Sequence, residues 1–295
     1  LRAGNGNKKR IMMIKFLFLV LFGCFAFTAS AQKSAYTLFH ADGEQVPYTS
    51  MIDSLENADV LLFGELHNNP ISHWLQLEVT KDLNEKTDLI LGAEMFERDN
   101  HDSLALYLQD SITKKEFQAA VRLWGNYDTD YAPLVEFAKE NDLPFIATNI
   151  PRRYASMVHK KDFAALDSLT AKEKEWIAPL PIAFDPELPT YKNILKMMGD
   201  HGSPLLVKAQ ASKDATMAHF ILRHYENDHT FIHYNGAYHS DFYEGILWYL
   251  KRQNGNLRYA TITTVSQADV YILAEEHKGK ADFIICVDED MTKTY

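Results

Sequence analysis

Five positions place a titratable or strongly polar side chain at or just beyond the end of an apolar run: Glu65, His67, Glu94, Asn149 and His239. Carboxylates beside imidazoles are what proton transfer, water activation and ligation chemistry require. Glu94 is the sharpest of them. It interrupts Leu89, Ile90, Leu91, Ala93, Met95 and Phe96, and a carboxylate there is unfavourable to desolvate without a cation, a metal or a His beside it. His67 and His73 lie six residues apart with Pro70 between them, so they are not the i, i+4 pair of a helical zinc site. The expectation is that one faces the rim from a loop and the other from the first turn of a helix.

The elements that must position these groups follow from hydrophobic period. Short apolar runs at 59–63, 88–96, 143–150, 230–235, 257–265 and 282–287 read as strands, and the longer stretches between them carry helical spacing. That alternation predicts an α/β fold, a mainly parallel sheet flanked by helices, with ligands bound beyond the carboxyl ends of the strands. Ile71, Leu75, Val79 and Leu83 mark the first well-supported helix, with Pro70 at its first position and Asn68 or Asn69 as its cap. A second helix is expected over about 203–226 and a third over about 240–252, with Phe242, Ile246, Tyr249 and Leu250 as its stripe. On the second, Leu206, Gln210, Asp214, Met217 and Ile221 share one face, so Gln210 and Asp214 should be partly buried and paired, orienting a loop or contacting a ligand. His219 and His224 fall on other faces and are expected at the surface. Residues 97–141 read as helices broken by Trp124-Gly125-Asn126-Tyr127, and the Pro-rich stretch 178–189 as a loop or lid.

A weak internal repeat ties these elements together. One strand runs into Gly64-Glu65-Leu66-His67 and a helix, another into Gly236-Ala237-Tyr238-His239 and a helix. The reading is two pseudo-repeated halves, strand–GxxH–helix, facing one cleft: a single domain over 32–295, with a first half at about 50–150, a helical or lid segment at about 151–202 and a second half at about 203–295.

Composition bounds the rest. The chain has 295 residues, 46% hydrophobic and 24% charged, with a formal net charge of −10, which argues against a nucleic-acid partner held by bulk charge. Two Cys exclude a disulfide scaffold or a cysteine-ligated cluster, and Cys286, inside DFIICVDED, reads as a buried strand residue. No G-x-S-x-G elbow, P-loop or G-x-G-x-x-G appears. Residues 1–31 read as upstream read-through followed by a signal peptide, with Met12 or Met13 as the start, an apolar stretch at 16–27 and small residues Ala29 and Ala31 before the cleavage point. Leu21-Phe22-Gly23-Cys24 offers a second route, lipidation of Cys24 and a membrane tether. The expected location is exported, periplasmic or outer-membrane-associated. Removing 1–31 takes five basic residues and no acid, leaving 25 against 40, a balance of −15.

The stretches LLFGELHNNPISHWLQLEV (61–79), ILGAEMFERD (90–99), LWGNYDTDYAPLVEFAKENDLPFIATNIPRRYA (123–155), KAQASKDATMAHFIL (208–222) and FIHYNGAYHSDFYEGI (231–246) together resemble the ChaN-like haem-binding lipoproteins of bacterial iron uptake, part of a wider Tiki, TraB and erythromycin-esterase superfamily. The resemblance implies two related halves around a shared cleft and haem as the ligand. It also implies hydrolytic relatives whose catalytic residues correspond to Glu65, His67, Glu94 and His239. For haem, an apolar slot, an axial ligand and cations for the propionates are needed. The candidate contacts are His67, His73, Arg152, Arg153, Tyr154, Gln210, Asp214, Met217 and His239. Arg152 and Arg153 are the local cations, and Tyr154 is either an axial ligand or a residue packed on its helix. The alternative is a metal-assisted esterase or peptidase with a divalent ion held by His67 and His239. Two chains enclosing stacked haems would make a homodimer.

Overall fold

The computed structural model describes residues 33–295; the apolar leader, Cys24 and the A-x-A site lie outside them. Seven strands form one sheet: β1 (Tyr36–His40), β2 (Val60–Glu65), β3 (Asp88–Glu97), β4 (Phe145–Asn149), β5 (His229–Gly236), β6 (Tyr259–Gln267) and β7 (Phe283–Asp288), in the order β1-β7-β6-β2-β5-β3-β4. All neighbours are parallel except the edge pair of β1 and β7. The six strands expected from the sequence are present. β1 was not anticipated, because YTLFH is short and stands on an edge where only Leu38 and Phe39 are buried.

The helices are α1 (Tyr48–Leu55), α2 (Pro70–Asn84), α3 (His101–Leu108), α4 (Lys114–Ala120), α5 (Ala132–Glu140), α6 (Arg152–Lys161), α7 (Ala171–Lys174), α8 (Pro189–Met198), α9 (Pro204–His224) and α10 (Ile246–Gln253). Strand residues alternate between the two faces, as a period of two requires. Leu61, Phe63, Leu91, Ile232 and Tyr234 meet α1, α2, α3 and α5 on one side. Val60, Leu62, Ile90 and Phe231 meet α6, α9 and α10 on the other. α2 begins as its sequence dictates: Asn69 Oδ1 accepts the Ile71 and Ser72 N–H groups, and Pro70 occupies a position whose N–H has no helical partner. Cys286 is buried in β7, where burial pushes its thiol up to about 12.

The repeated halves interleave in one sheet. β5 inserts between β2 and β3, so Glu65 pairs with Gly236 and the two G-x-x-H turns stand side by side at the carboxyl rim. β2 leads into a helix on one face and β5 into a helix on the other, which opens a crevice between them.

Two of the expected elements need correction. The third helix begins at Ile246, not near 240. Short 3-10 turns precede it, and Phe242, with φ +59 and its ring partly exposed, does not belong to the buried stripe. The Pro-rich stretch is a loop but not a lid over the cleft. Ala178 N–H donates to Thr216 Oγ1, the Ala183 carbonyl accepts the Tyr249 hydroxyl, and Ile182 is buried against the helices.

Met217 is fully buried in the core beneath α9 rather than at the cleft. Met217→Ala is therefore expected to lower the unfolding free energy by about 2–5 kcal/mol, read from the urea midpoint, through lost burial and the cavity left behind.

Candidate functional site

Glu65, at the end of β2, is buried. Its Oε1 accepts the Tyr131 hydroxyl (2.7 Å) and lies 2.8 Å from His67 Nδ1, while Oε2 accepts Gln76 Nε2 (2.6 Å). His73 is buried as well. Its Nε2 donates to the His67 carbonyl (3.1 Å), and its Nδ1 lies 3.2 Å from Gln76 Oε1. A π-helical turn at Tyr127–Tyr131 brings Asp130 and Tyr131 inward, and Asn126 Nδ2 donates to both the His67 carbonyl (3.0 Å) and Asp130 Oδ2 (2.6 Å). His67 is thus held through its backbone by two donors and through Nδ1 by a carboxylate. Burial opposes a charge on His67, but its bond to Glu65 and the charges of Glu94 and Glu65 outweigh that, so its pKa is raised.

The second assembly centres on His239. Its Nδ1 lies 2.5 Å from Asp214 Oδ1 and its Nε2 3.1 Å from Glu94 Oε1, all three groups buried. Tyr191 donates its hydroxyl to Asp214 Oδ2 (2.9 Å), and the Gln210 amide stands 2.9 Å from His239 Nδ1. Burial disfavours a charged His239, yet the two carboxylates raise its pKa to about 9. Desolvation works to raise Glu94, but His239 holds it far below the usual carboxylate range. Asp214 moves the other way, with burial pushing it up. The carboxylate–imidazolium–carboxylate arrangement answers the desolvation problem posed by Glu94 in its apolar run.

The two assemblies meet at Gly236. Its N–H donates to Glu94 Oε2 (2.9 Å), and any Cβ there would come within 2.7 Å of His67 Cε1, so only glycine admits the ring. Gly245, with φ +54, does the same for the backbone of the turn: a Cβ would collide with the His239 carbonyl.

A cleft of about 1150 Å³ opens on this rim. Its lining includes Glu94, Asn126 and Asn149, an apolar wall of Val121, Leu123, Trp124 and Ile150, and the cations Arg122, Arg152 and Lys213. Arg122 is engaged by Glu97 and Asp99. Among the described residues the Arg152 guanidinium and the Lys213 ammonium make no hydrogen bond or ion pair, although the Lys213 charge is felt by Glu94. Asn149 donates to the Glu94 carbonyl (2.9 Å), while its own Oδ1 is buried with no hydrogen-bond partner. His67 stands beside the cleft, its ring meeting Trp124 edge-on at 4.9 Å.

The structure thus brings together Glu65, His67, His73, Glu94, Gln210, Asp214, His239 and Arg152, and separates others. Tyr154 is buried in the core beneath α6, its hydroxyl donating to Glu173 (3.0 Å), which puts it out of reach as an axial ligand. Arg153 turns away from the cleft to Asp99 and the rings of Tyr154 and Trp176. In a helix, Arg152 and its next two residues point in different directions, so one turn does not present all three to one ligand. As a metal ligand His239 is already committed, since carboxylates take both nitrogens. Among the described residues no group of three or more His, Cys, Asp or Glu is set to hold a metal ion. His219 and His224 are half-buried rather than at the surface, His224 facing His101 with ring centroids 5.7 Å apart.

Sequence reasoning passed over His233, Tyr131, Asp130 and Lys213. His233 is fully buried in β5, 2.8 Å from Thr148 Oγ1 and 3.0 Å from Asn235 Oδ1. Its signal was the same as that of Glu94, a titratable residue inside an apolar run.

Stability should depend on pH at both ends. His239 is raised to about 9, so its contribution is complete below its ordinary 6.5 and is lost as pH climbs through 9. His101 and His224, lowered to about 4 by burial and by Arg98, contribute fully above 6.5 and lose that as pH falls toward 4. Urea midpoints across pH 4–10 are expected to decline on both limbs. His239→Gln should lower stability at neutral pH by about 3–5 kcal/mol by stranding two buried carboxylates, and flatten the alkaline limb.

A family described as haem-binding uptake proteins of the Tiki superfamily, ChaN, matches residues 51–250. Among solved structures, ChaN of Campylobacter jejuni with cofacially bound haem shares the fold at a TM-score of 0.63 and 16% identity, over 85% of this chain and 96% of that one. Looser likenesses include an erythromycin esterase in its open conformation (TM-score 0.49, 10% identity, 88% and 99%) and the RRSP toxin effector domain of Vibrio vulnificus (0.45, 15%, 80% and 42%). No curated protein matches the chain. With 200 consecutive positions matched, the chain belongs to the ChaN family of haem-binding uptake proteins.

Proposed function

We propose that this chain binds haem in the cleft beyond β3 and β4 and serves iron acquisition as an exported protein of the cell envelope. The observation that carries the reading is the pair of cations without a hydrogen bond or ion pair among the described residues, Arg152 and Lys213, on an apolar-walled cleft of an acidic protein. A planar, largely apolar dicarboxylate fits that lining: Trp124, Leu123, Val121 and Ile150 would cover its faces, and the two cations would hold its propionates through charge-assisted hydrogen bonds. The orphaned Asn149 Oδ1 is an acceptor open to a donor on the ligand. Haem itself would supply the iron. His67 is suited to ligate it, since Glu65 engages Nδ1 and Nε2 has no partner among the described residues. Export rests on the leader read from residues 12–31.

Haemin titration of residues 33–295, followed in the Soret band, tests this directly. Saturation at about one haem per chain is expected. Arg152→Gln and Lys213→Gln should each weaken affinity by about tenfold or more, as loss of a hydrogen bond to a charge implies. No saturable spectral change at micromolar protein would refute haem binding. Retention in the cytoplasm with an uncleaved leader would refute export.

A second reading has its own observation, the two carboxylate–imidazole pairs on either side of Gly236, one half-buried and one fully buried. These suit ester or amide hydrolysis, with His67, oriented by Glu65, accepting a proton from water. Hydrolysis of a nitrophenyl ester by haem-free protein, reduced about 100-fold or more in His67→Ala, is the outcome this reading requires; an inert wild-type protein dismisses it.

A further inference from the structure

Beyond residues 51–250, one segment reaches the site. After β7 the chain turns at Asp288, whose carbonyl accepts the Met291 N–H (3.0 Å), and runs along the rim from β7, near the far edge of the sheet, to the cleft. There Thr294 N–H donates to the Asn68 carbonyl (3.0 Å) and the Thr294 hydroxyl to Asp130 Oδ1 (3.3 Å), while Asn68 Nδ2 reaches the Tyr295 carbonyl at 3.4 Å. Thr294 and Tyr295 both line the cleft, together with Trp124 and Asn126.

These anchors are not incidental surface. Asn68 follows His67 in the chain, and Asp130 is the carboxylate that accepts Asn126 and faces His73 at 3.5 Å. The groups that fix His67 therefore also fix the segment after β7. Tyr295 keeps 70% of its surface exposed, an aromatic ring on the cleft with most of its area uncovered. Covering such a ring with a flat apolar ligand is favourable.

We propose that Glu289–Tyr295 is a strap forming the outer wall of the ligand site, with Thr294 as its anchor and Tyr295 as a ligand-contact residue, and that it governs how fast the ligand leaves. The proposal rests on the haem reading for the identity of the ligand. Its attachment to the site does not. The strap is tied by a few ordinary hydrogen bonds, so it can lift without unfolding the sheet, and a ligand beneath it escapes only while it is lifted.

The test compares the full chain, a chain stopped after Asp290, Thr294→Val and Tyr295→Ala. Each is loaded with haemin, and release to excess apomyoglobin is timed. Equal stoichiometry in all four is expected, with release about tenfold faster from the stopped chain and severalfold faster from the two substitutions. Hydrogen exchange of the haem-free proteins should quicken at residues 66–70 and 124–131 in the stopped chain and in Thr294→Val. Equal release rates from full and stopped chains overturn the strap although haem binds. Failure of the full chain to take up haemin overturns the haem reading and retention with it. Unchanged exchange at 66–70 and 124–131 independently overturns the attachment of the strap to the site.

Discussion

A charged imidazole cannot stand alone in a protein interior, and in this molecule the fold is arranged around that constraint at His239. Glu94 comes from β3, Asp214 from α9, and His239 from the turn after β5, so three elements far apart in sequence are tied by one imidazolium whose two N–H groups each meet a carboxylate. Deleting His239 leaves two buried carboxylates without their counter-charge, so the arrangement hangs on the imidazolium. Glycine is the enabling residue on either side: Gly236 gives up an N–H to Glu94, and Gly245 lets the chain bend around the backbone of His239.

Glu65 solves the same problem differently. It has no single cationic partner in line. Instead it collects a phenol, an amide and an imidazole nitrogen from α2, the π-helical turn and its own loop. The outcome is a carboxylate immobilised within the sheet rim, with His67 oriented by it and by Asn126. One assembly stores charge, the other fixes direction, and the cleft lies against both.

Much of this was legible in the residues. Glu94 inside LILGAEMF demanded a partner, and the two G-x-x-H turns marked the rim where that partner would be found. The partnering of Gln210 and Asp214 followed from a helical stripe that mixed polar with apolar positions. What was not legible depended on long-range packing. The burial of His73 comes from a π-helical turn some 55 residues later, which no local period announces. Tyr154 and Arg153 looked like cleft residues because they neighbour Arg152 in sequence, but helical geometry turns them to the core and to Asp99. β1 carries too few buried residues to signal itself. His233 was readable by the same logic as Glu94 and was simply outweighed by the apolar run around it.

The interleaving of strands also dictates the order in which the molecule can assemble. β2 and β3 are consecutive in sequence yet never pair, since β5 lies between them. As the chain emerges, β3 and β4 can form a ribbon early, but β2 remains without either neighbour until residues 229–267 have appeared. Half-length nascent chains therefore expose an unpaired strand that is apolar from Val60 to Phe63, and closure of the sheet is a late event between distant segments. Folding should accordingly be slow for a protein of this size, as high contact order implies.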